Sequence, residues 1–156
     1  MFYDKKDLYS LDPERKERYE NTLDKIMHAE RIVLKFGTHG VNHIFDGFGK
    51  SFAEDLMRYK KQGKEFIIIS SGAIDYGKRQ VSLEKEDEII KRSVYASLGQ
   101  PYLMNEWNRL LSEKGLYVSQ VLYENENLSG KSSHKQYIRN SLECALRNNI
   151  IPIANE

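Results

Sequence analysis

The sequence contains one cysteine, no long apolar run and no excess of either charge sign. The single cysteine, Cys144, cannot form an internal disulfide, which agrees with a reducing compartment. No apolar run approaches the ~20 residues that a membrane helix needs, and the first ten residues lack the apolar segment of a signal peptide. We therefore expect a cytoplasmic protein that has no membrane partner.

The balance of charge also limits the partners. Lys and Arg total 24 against 23 Asp and Glu, which gives a formal net charge of +1. Such a balance offers no electrostatic reason to expect nucleic acid or an anionic membrane. Any anion that this protein binds must therefore be held by a local site.

The 156 residues are about one domain long, and apolar stretches alternate between strand and helix patterns. The β-branched run at 66–69 is typical of a strand that is covered on both faces, as parallel sheets require. The pattern predicts an α/β fold: a doubly wound, mainly parallel sheet with helices on both faces. Strands are predicted at 31–36, 65–70, 116–122 and 150–154, helical segments at 12–29, about 48–62, 73–79, 86–99, 100–115 and 134–149, and a loop at 123–133.

The N-terminal segment, Pro152 and the end of the sheet each lead to a further expectation. We predict that residues 1–30 form a helical extension. It would be either a subunit contact or a cover for the sheet, and the sequence does not choose between the two. Pro152 lacks the N–H that a central strand needs, so we expect it near an edge or a bulge. A sheet that ends on its fourth strand would also leave an apolar edge uncovered.

Polar and glycine-rich segments follow the first, second and fourth strands, where α/β sheets bind ligands. Lys35 with Gly37 and Thr38 places a cation beside flexible backbone, which suits a polyphosphate, although the lysine can also be a solvated charge. Ser70, Ser71 and Gly72 precede a helix whose N-terminal amides favour an anion, although a helix cap and a tight turn explain them equally well. All three segments meet at one edge of the predicted sheet.

The sequence gives weaker support to a serine hydrolase and to a histidine metal site. Ser71 lacks the G-x-S-x-G frame of a hydrolase nucleophile, and no His or Asp is placed in sequence to complete a triad. His39 and His43 are four residues apart, but no second cluster of ligands accompanies them. We predict no metal bound by protein ligands.

Four segments in this order resemble the amino-acid kinase family: RIVLKFGTHGV, FIIISSGAIDYG, SLGQPYLMNEWNRLLSEKGLYVSQVL and IRNSLECALRNNIIPIANE. Within that family the Ser-Ser-Gly-Ala run and the Leu-Gly-Gln followed by Leu-Met are similar to members that act on glutamate. The resemblance implies transfer of the ATP γ-phosphate to the side-chain carboxylate of L-glutamate, with Mg²⁺, as the first step of proline synthesis. It covers residues 31–156, as the N-terminal half of such a kinase domain.

The resemblance also implies roles for particular residues. Lys35 would contact the transferring phosphates as the catalytic cation, with Gly37 and Thr38 supplying ATP-binding backbone beside it. The segment Ser71, Gly72 and Ala73 would hold the glutamate, and Asn155 would face the same substrate. A carboxylate acceptor with a pKa near ~4.3 is already ionised at neutral pH, so no general base is needed. The absence of an obvious base is then expected.

The family continues beyond this chain, so we expect a fragment of a longer reading frame whose own kinase turnover is little or none. A homo-oligomer is expected for the complete protein. Two alternatives stay open: a non-catalytic remnant or regulatory subunit that keeps the glutamate pocket, and another amino-acid kinase with a different acceptor. His39 stands where a small hydroxyl residue is usual in the family, which could crowd the phosphate loop.

Overall fold

The computed structural model describes residues 12–121 and 133–155. Most of the loop predicted at 123–133 lies outside these residues. The described chain alternates strands and helices, as the sequence predicts. The elements are α1 Pro13–His28, β1 Arg31–Phe36, α2 Thr38–His43 with a π-helical segment Ile44–Phe48, α3 Gly49–Lys61, β2 Glu65–Ser70, α4 Ala73–Gln80, α5 Glu88–Ser112, β3 Tyr117–Val121, α6 Ser133–Arg147 and β4 Ile150–Asn155.

The four described strands form one parallel sheet in the order β1-β2-β4-β3. This arrangement confirms the predicted α/β class. The chain moves across the sheet in one direction from β1 to β3 and then reverses to insert β4. Because parallel crossovers are right-handed, this reversal places α6 on the face opposite α3 and α5.

The expectation that Pro152 lies near an edge of the sheet is wrong. β4 lies in the interior of the sheet, between β2 and β3, and the edges are β1 and β3. Pro152 is fully buried there, opposite Ser119 of β3. The pairing of β4 with β2 begins at Ile153, one residue after the proline, so the ring sits just before this ladder and does not interrupt it.

The core centres on Trp107 of α5, whose side chain is fully buried. Three phenylalanine rings surround the indole, with centroid distances of 5.9 Å to Phe36, 4.9 Å to Phe45 and 6.1 Å to Phe52. These rings come from β1, the π-helical segment and α3. The indole therefore joins the sheet to the helices of one face.

Several apolar residues that follow helical spacing do not reach this core. Phe48 is 57% exposed and stacks on His43, because the backbone kinks at Gly47 before α3 begins. Ile89 and Ile90 at the start of α5 are also exposed, whereas Leu103, Trp107 and Leu111 further along the same helix are buried. The side chain of Asp12 caps α1 by accepting a hydrogen bond from the Arg15 N–H, and none of the residues of α1 is buried. Amphipathic spacing identified the helices but not which turns are covered.

Helices α4 and α5 pack backbone against backbone at two glycines. A Cβ atom at Gly99 would collide with the carbonyl oxygen of Ala73 and the amide nitrogen of Gly77. A Cβ atom at Gly77 would likewise collide with the carbonyl of Tyr95. Any side chain at either position therefore requires the two helices to separate. This contact fixes α5 next to the turn that follows β2.

An ion-pair network joins β1, β2 and α6 at the other end of the sheet. The Arg31 guanidinium donates to both carboxylate oxygens of Glu143, at 2.8 and 2.9 Å, and also to Glu65 at 2.8 Å. The hydrogen bonds from Arg31 lower the pKa of Glu143 below its usual range. We therefore expect a pH-dependent contribution to stability from this pair.

Replacing Glu143 with glutamine is expected to lower the urea midpoint at pH 7. Because the folded-state pKa of Glu143 lies below its unfolded value, the stabilisation is complete above the unfolded pKa, about 4.5, and is lost as pH falls through the folded value. The midpoints of wild type and Glu143→Gln should therefore converge in acid. Glu84→Gln, at an exposed loop position, is the matched control and should show no such pattern. A gap between Glu143→Gln and wild type that persists unchanged into acid would contradict the assignment.

Candidate functional site

The carboxyl ends of β1, β2 and β4 meet at a cleft of about 640 Å³. It contains five of the seven site residues that the sequence predicts: Thr38, Ser71, Gly72, Ala73 and Asn155. They come from segments up to 117 residues apart, Thr38 to Asn155, and are brought together because the strands are parallel. The Ser71 N–H donates to the carbonyl of Phe36 at 2.9 Å, which ties the turn after β2 to the end of β1.

The two serines at the end of β2 have different surroundings. Ser70 is fully buried, and its hydroxyl accepts a hydrogen bond from Trp107 Nε1 at 2.9 Å and donates to the carbonyl of Ser71 at 3.1 Å. Ser71 instead lines the cleft. Ser70 therefore connects the core to the turn, and Ser71 is the serine that a ligand can reach.

Gly72 allows the chain to turn from β2 into α4. Its φ of +114° lies in the left-handed region, where a residue with a side chain is strained. The first helical hydrogen bond runs from Tyr76 N–H to the carbonyl of Gly72 at 3.0 Å, so the N–H groups of Ala73, Ile74 and Asp75 precede the helical ladder. The positive end of the α4 dipole thus lies at the cleft, where it favours an anion.

Charged side chains from α4 and α5 complete the cleft: Asp75, Lys78, Glu88, Lys91 and Arg92. Three of these charges have partners, since Asp75 pairs with Arg79 at 3.3 Å and Glu88 pairs with Lys91 at 3.0 Å. Within the described part of the chain, Lys78 and Arg92 have no carboxylate within salt-bridge distance. These two cations can therefore neutralise a bound anion.

Sequence reasoning did not select Lys78, Arg92 or Gln100, which all lie on helices. One signal was available for Lys78, because it follows Ile74 by four residues and therefore shares a helix face with the first turn of α4. No comparable signal exists for Arg92. Its place at the cleft depends on how α5 packs against α4 at Gly77 and Gly99.

Lys35 and Gly37 do not line this cleft. Lys35 is an exposed residue of β1, in register with Ile69, and Gly37 precedes α2 with no atom within 4 Å of where a Cβ would lie. Of the predicted ATP-side residues, only Thr38 is at the cleft. Their role towards ATP stays a prediction.

Asn155 reaches the cleft from the end of β4. Its Nδ2 donates to Gln100 Oε1 of α5 at 2.7 Å. This hydrogen bond joins the last residue of an interior strand to the helix that also carries Arg92. Asn155 and Ser70 are paired in register, so the ends of β4 and β2 are adjacent.

Among residues 12–121 and 133–155, no group of three or more His, Cys, Asp or Glu side chains could hold a metal ion. In the same ranges, no helix is both long and apolar enough to cross a membrane. The described residues thus supply no ready set of carboxylates for Mg²⁺, and Lys35, the residue predicted to contact the phosphates, is not among those that line the cleft.

Residues 30–156 match the model of the amino acid kinase family. The chain belongs to this family, and its parallel sheet and cleft agree with that assignment.

Three similar proteins are named as glutamate 5-kinases. The chain is 35% identical to the glutamate 5-kinase of Methanosarcina mazei, over 82% of this chain and 36% of the relative. It is 33% identical to the glutamate 5-kinase of Listeria innocua, over 85% of this chain and 50% of that relative. It is 27% identical to glutamate 5-kinase 2 of Bacillus licheniformis, over 83% and 36% respectively. The chain therefore spans between about a third and a half of the length of these relatives.

Proposed function

We propose that this chain forms the glutamate-binding part of a glutamate 5-kinase. In the complete protein, the γ-phosphate of ATP would be transferred to the side-chain carboxylate of L-glutamate, in the cytoplasm, as the first step of proline synthesis. The observation that carries the proposal is the cleft in which Ser71, Gly72, Ala73 and Asn155 converge beside two cations. The relatives named glutamate 5-kinase support the choice of substrate.

The charges of the cleft suit this acceptor. Glutamate carries two carboxylates and one ammonium at neutral pH, so its net charge is negative. The N-terminus of α4 and the cations Lys78 and Arg92 favour carboxylates, whereas acceptor atoms such as Asn155 Oδ1 favour the ammonium. Because the acceptor carboxylate is ionised, the site needs to position and neutralise it and does not need to deprotonate it.

The phosphate donor of the proposed reaction is ATP, and its support is membership of the kinase family. The predicted residues on that side are Lys35, Gly37 and Thr38, and Mg²⁺ would supply charge neutralisation between the phosphates and the acceptor. Lys35 and Gly37 do not line the cleft, so the residues that do line it are assigned to the acceptor and not to ATP or Mg²⁺.

L-Glutamate is expected to raise the unfolding temperature of the 156-residue chain. Binding to the folded state alone stabilises by about 2.7 kcal/mol when the ligand is at 100 times its Kd. L-Aspartate, which is one methylene shorter, and N-acetyl-L-glutamate, which has no ammonium, should protect much less. Differential scanning fluorimetry at constant ionic strength measures all three. Equal protection by the three anions would refute a glutamate site.

Charge-reversal variants give the matched comparison. Lys78→Glu removes a cation from the cleft and should abolish most of the glutamate effect. Lys85→Glu makes the same charge change on the exposed segment between α4 and α5, outside the cleft, and should leave the effect intact. If both variants lose protection equally, the response reflects net charge and not this cleft.

A non-catalytic binding subunit is the second candidate, because Lys35 and Gly37, the residues predicted to contact ATP, do not line the cleft. Both candidates predict that glutamate binds. They differ in phosphoryl transfer, which is measured by trapping the acyl phosphate with hydroxylamine in the presence of ATP and Mg²⁺. Turnover at a rate typical of enzymes would exclude the non-catalytic candidate.

A further inference from the structure

The hydrogen bond between Asn155 and Gln100 determines which atom of Asn155 is free for a ligand. Nδ2 of Asn155 donates to Oε1 of Gln100 at 2.7 Å. The Asn155 amide nitrogen carries two N–H donors, and this contact uses one of them and orients Nδ2 towards Gln100. The acceptor atom, Oδ1, takes no part in this contact.

The other two atoms of this amide pair are buried and have no partner. They are Gln100 Nε2 and Asn155 Oδ1, which form no hydrogen bond with the described residues. Buried polar atoms in native proteins nearly always have a partner, because an unmade hydrogen bond leaves the desolvation of the group uncompensated. Asn155 itself lines the cleft. The unpaired Asn155 Oδ1 is therefore suited to accept a hydrogen bond from a polar ligand group in the cleft.

An acceptor atom at this position selects a donor on the ligand. The α-ammonium of an amino acid carries three N–H donors, whereas a carboxylate has none and would be repelled by Oδ1. The cations Lys78 and Arg92 on the helices of the same cleft are suited to the carboxylates instead. The cleft thus separates the two kinds of charged group that an amino acid carries.

We propose that Gln100 is a positioning residue, which holds the Asn155 amide so that Asn155 Oδ1 accepts a hydrogen bond from the α-ammonium of the amino-acid substrate. This inference rests on the proposed function and deepens it. Gln100 acts through Asn155, and its effect is on the discrimination between an amino acid and the same dicarboxylate without the amino group. Glutarate is that analogue of glutamate.

Two substitutions at position 100 separate this role from general packing. The carboxylate of Gln100→Glu, ionised at pH 8, can only accept, so it keeps the Asn155 donor engaged and its orientation fixed. Gln100→Leu has a similar volume and no acceptor, so Asn155 is free to turn. Urea unfolding of both variants establishes that they fold, and Gln100→Met replaces Gln100→Leu if the latter does not.

The experiment compares the affinities of L-glutamate and glutarate for the 156-residue chain by calorimetry at pH 8. The wild type is expected to prefer glutamate by about tenfold or more, as a hydrogen bond to a charged group requires. Gln100→Glu should keep that preference, and Gln100→Leu or Gln100→Met should reduce it to about threefold or less because the oriented acceptor is lost.

The outcomes distinguish this inference from the proposed function. If the wild type does not bind glutamate, the proposed function fails and the inference fails with it. If the wild type binds glutamate selectively and the apolar variants keep the full preference, only the role of Gln100 is overturned. Loss of the preference in Gln100→Glu, with the fold intact, would also overturn it.

Discussion

Replacing Trp107 with alanine is expected to lower the free energy of unfolding by about 3–5 kcal/mol, the range for deleting a fully buried large aromatic side chain. The substitution removes the ring that contacts Phe36, Phe45 and Phe52 and leaves a cavity between β1 and the helices of one face. It also leaves the buried hydroxyl of Ser70 without its indole donor. Since domains of this size are marginally stable, much of the chain should be unfolded at 37 °C.

Trp107→Phe is the matched control. It keeps one aromatic ring in the core but loses part of the indole volume and the hydrogen bond from Nε1 to Ser70 Oγ, so it should cost about 2 kcal/mol, less than the alanine variant. Equilibrium urea unfolding, followed by circular dichroism because the substitution removes the only tryptophan, measures both variants. A Trp107→Ala variant as stable as Trp107→Phe would show that the indole is not the centre of the core.

Replacing Gly99 with alanine is expected to destabilise the fold by about 2–3 kcal/mol, near the upper end for overpacking. The added methyl group would collide with backbone atoms of Ala73 and Gly77, which cannot rotate away as a side chain can. Helices α4 and α5 must therefore separate. Because Ala73 lines the cleft, the variant should also lose protection by glutamate beyond what its lower stability explains.

Gly40→Ala provides the control for helix propensity. Gly40 lies inside α2, and the nearest atom to a Cβ there is a carbon of Phe36 at 3.7 Å, an ordinary contact. Alanine is the better helix former, so this variant should be neutral or slightly more stable. The prediction for Gly99 would be wrong if both glycine variants gained stability in the same urea titration.

The strands were predictable because their burial leaves a direct mark on the sequence. Phe66, Ile67, Ile68 and Ile69 are continuous and β-branched for the most part, as a strand covered on both faces requires, and β2 occupies that place. The order of the strands was not predictable in the same way. Periodicity identifies a strand but not its neighbours, and the proline of β4 suggested an edge although β4 pairs on both sides.

The residues of the candidate site also differ in how well the sequence predicts them. Ser71, Gly72, Ala73, Thr38 and Asn155 follow strand ends, and parallel pairing alone brings strand ends together. Lys78 and Arg92 reach the same cleft from helices, and Gln100 contacts Asn155 from α5. Their positions depend on the close contact of α4 with α5, which no local pattern encodes. Lys35 follows the strand pattern too, but as an exposed residue of an edge strand it lies outside the cleft.

The insertion of β4 between β2 and β3 has a consequence for how the fold forms during synthesis. β1 and β2 are paired neighbours, so they can associate as soon as residue 70 is available. In the described sheet β3 has only β4 as a neighbour, and β4 is made after the other three strands. Until then β3 has no neighbour within the described sheet, and its attachment waits for β4 to pair with β2, for example Ile153 with Ile68. The strand Ile150–Asn155 therefore attaches β3 to β1 and β2 and brings Asn155 to the cleft in the same event.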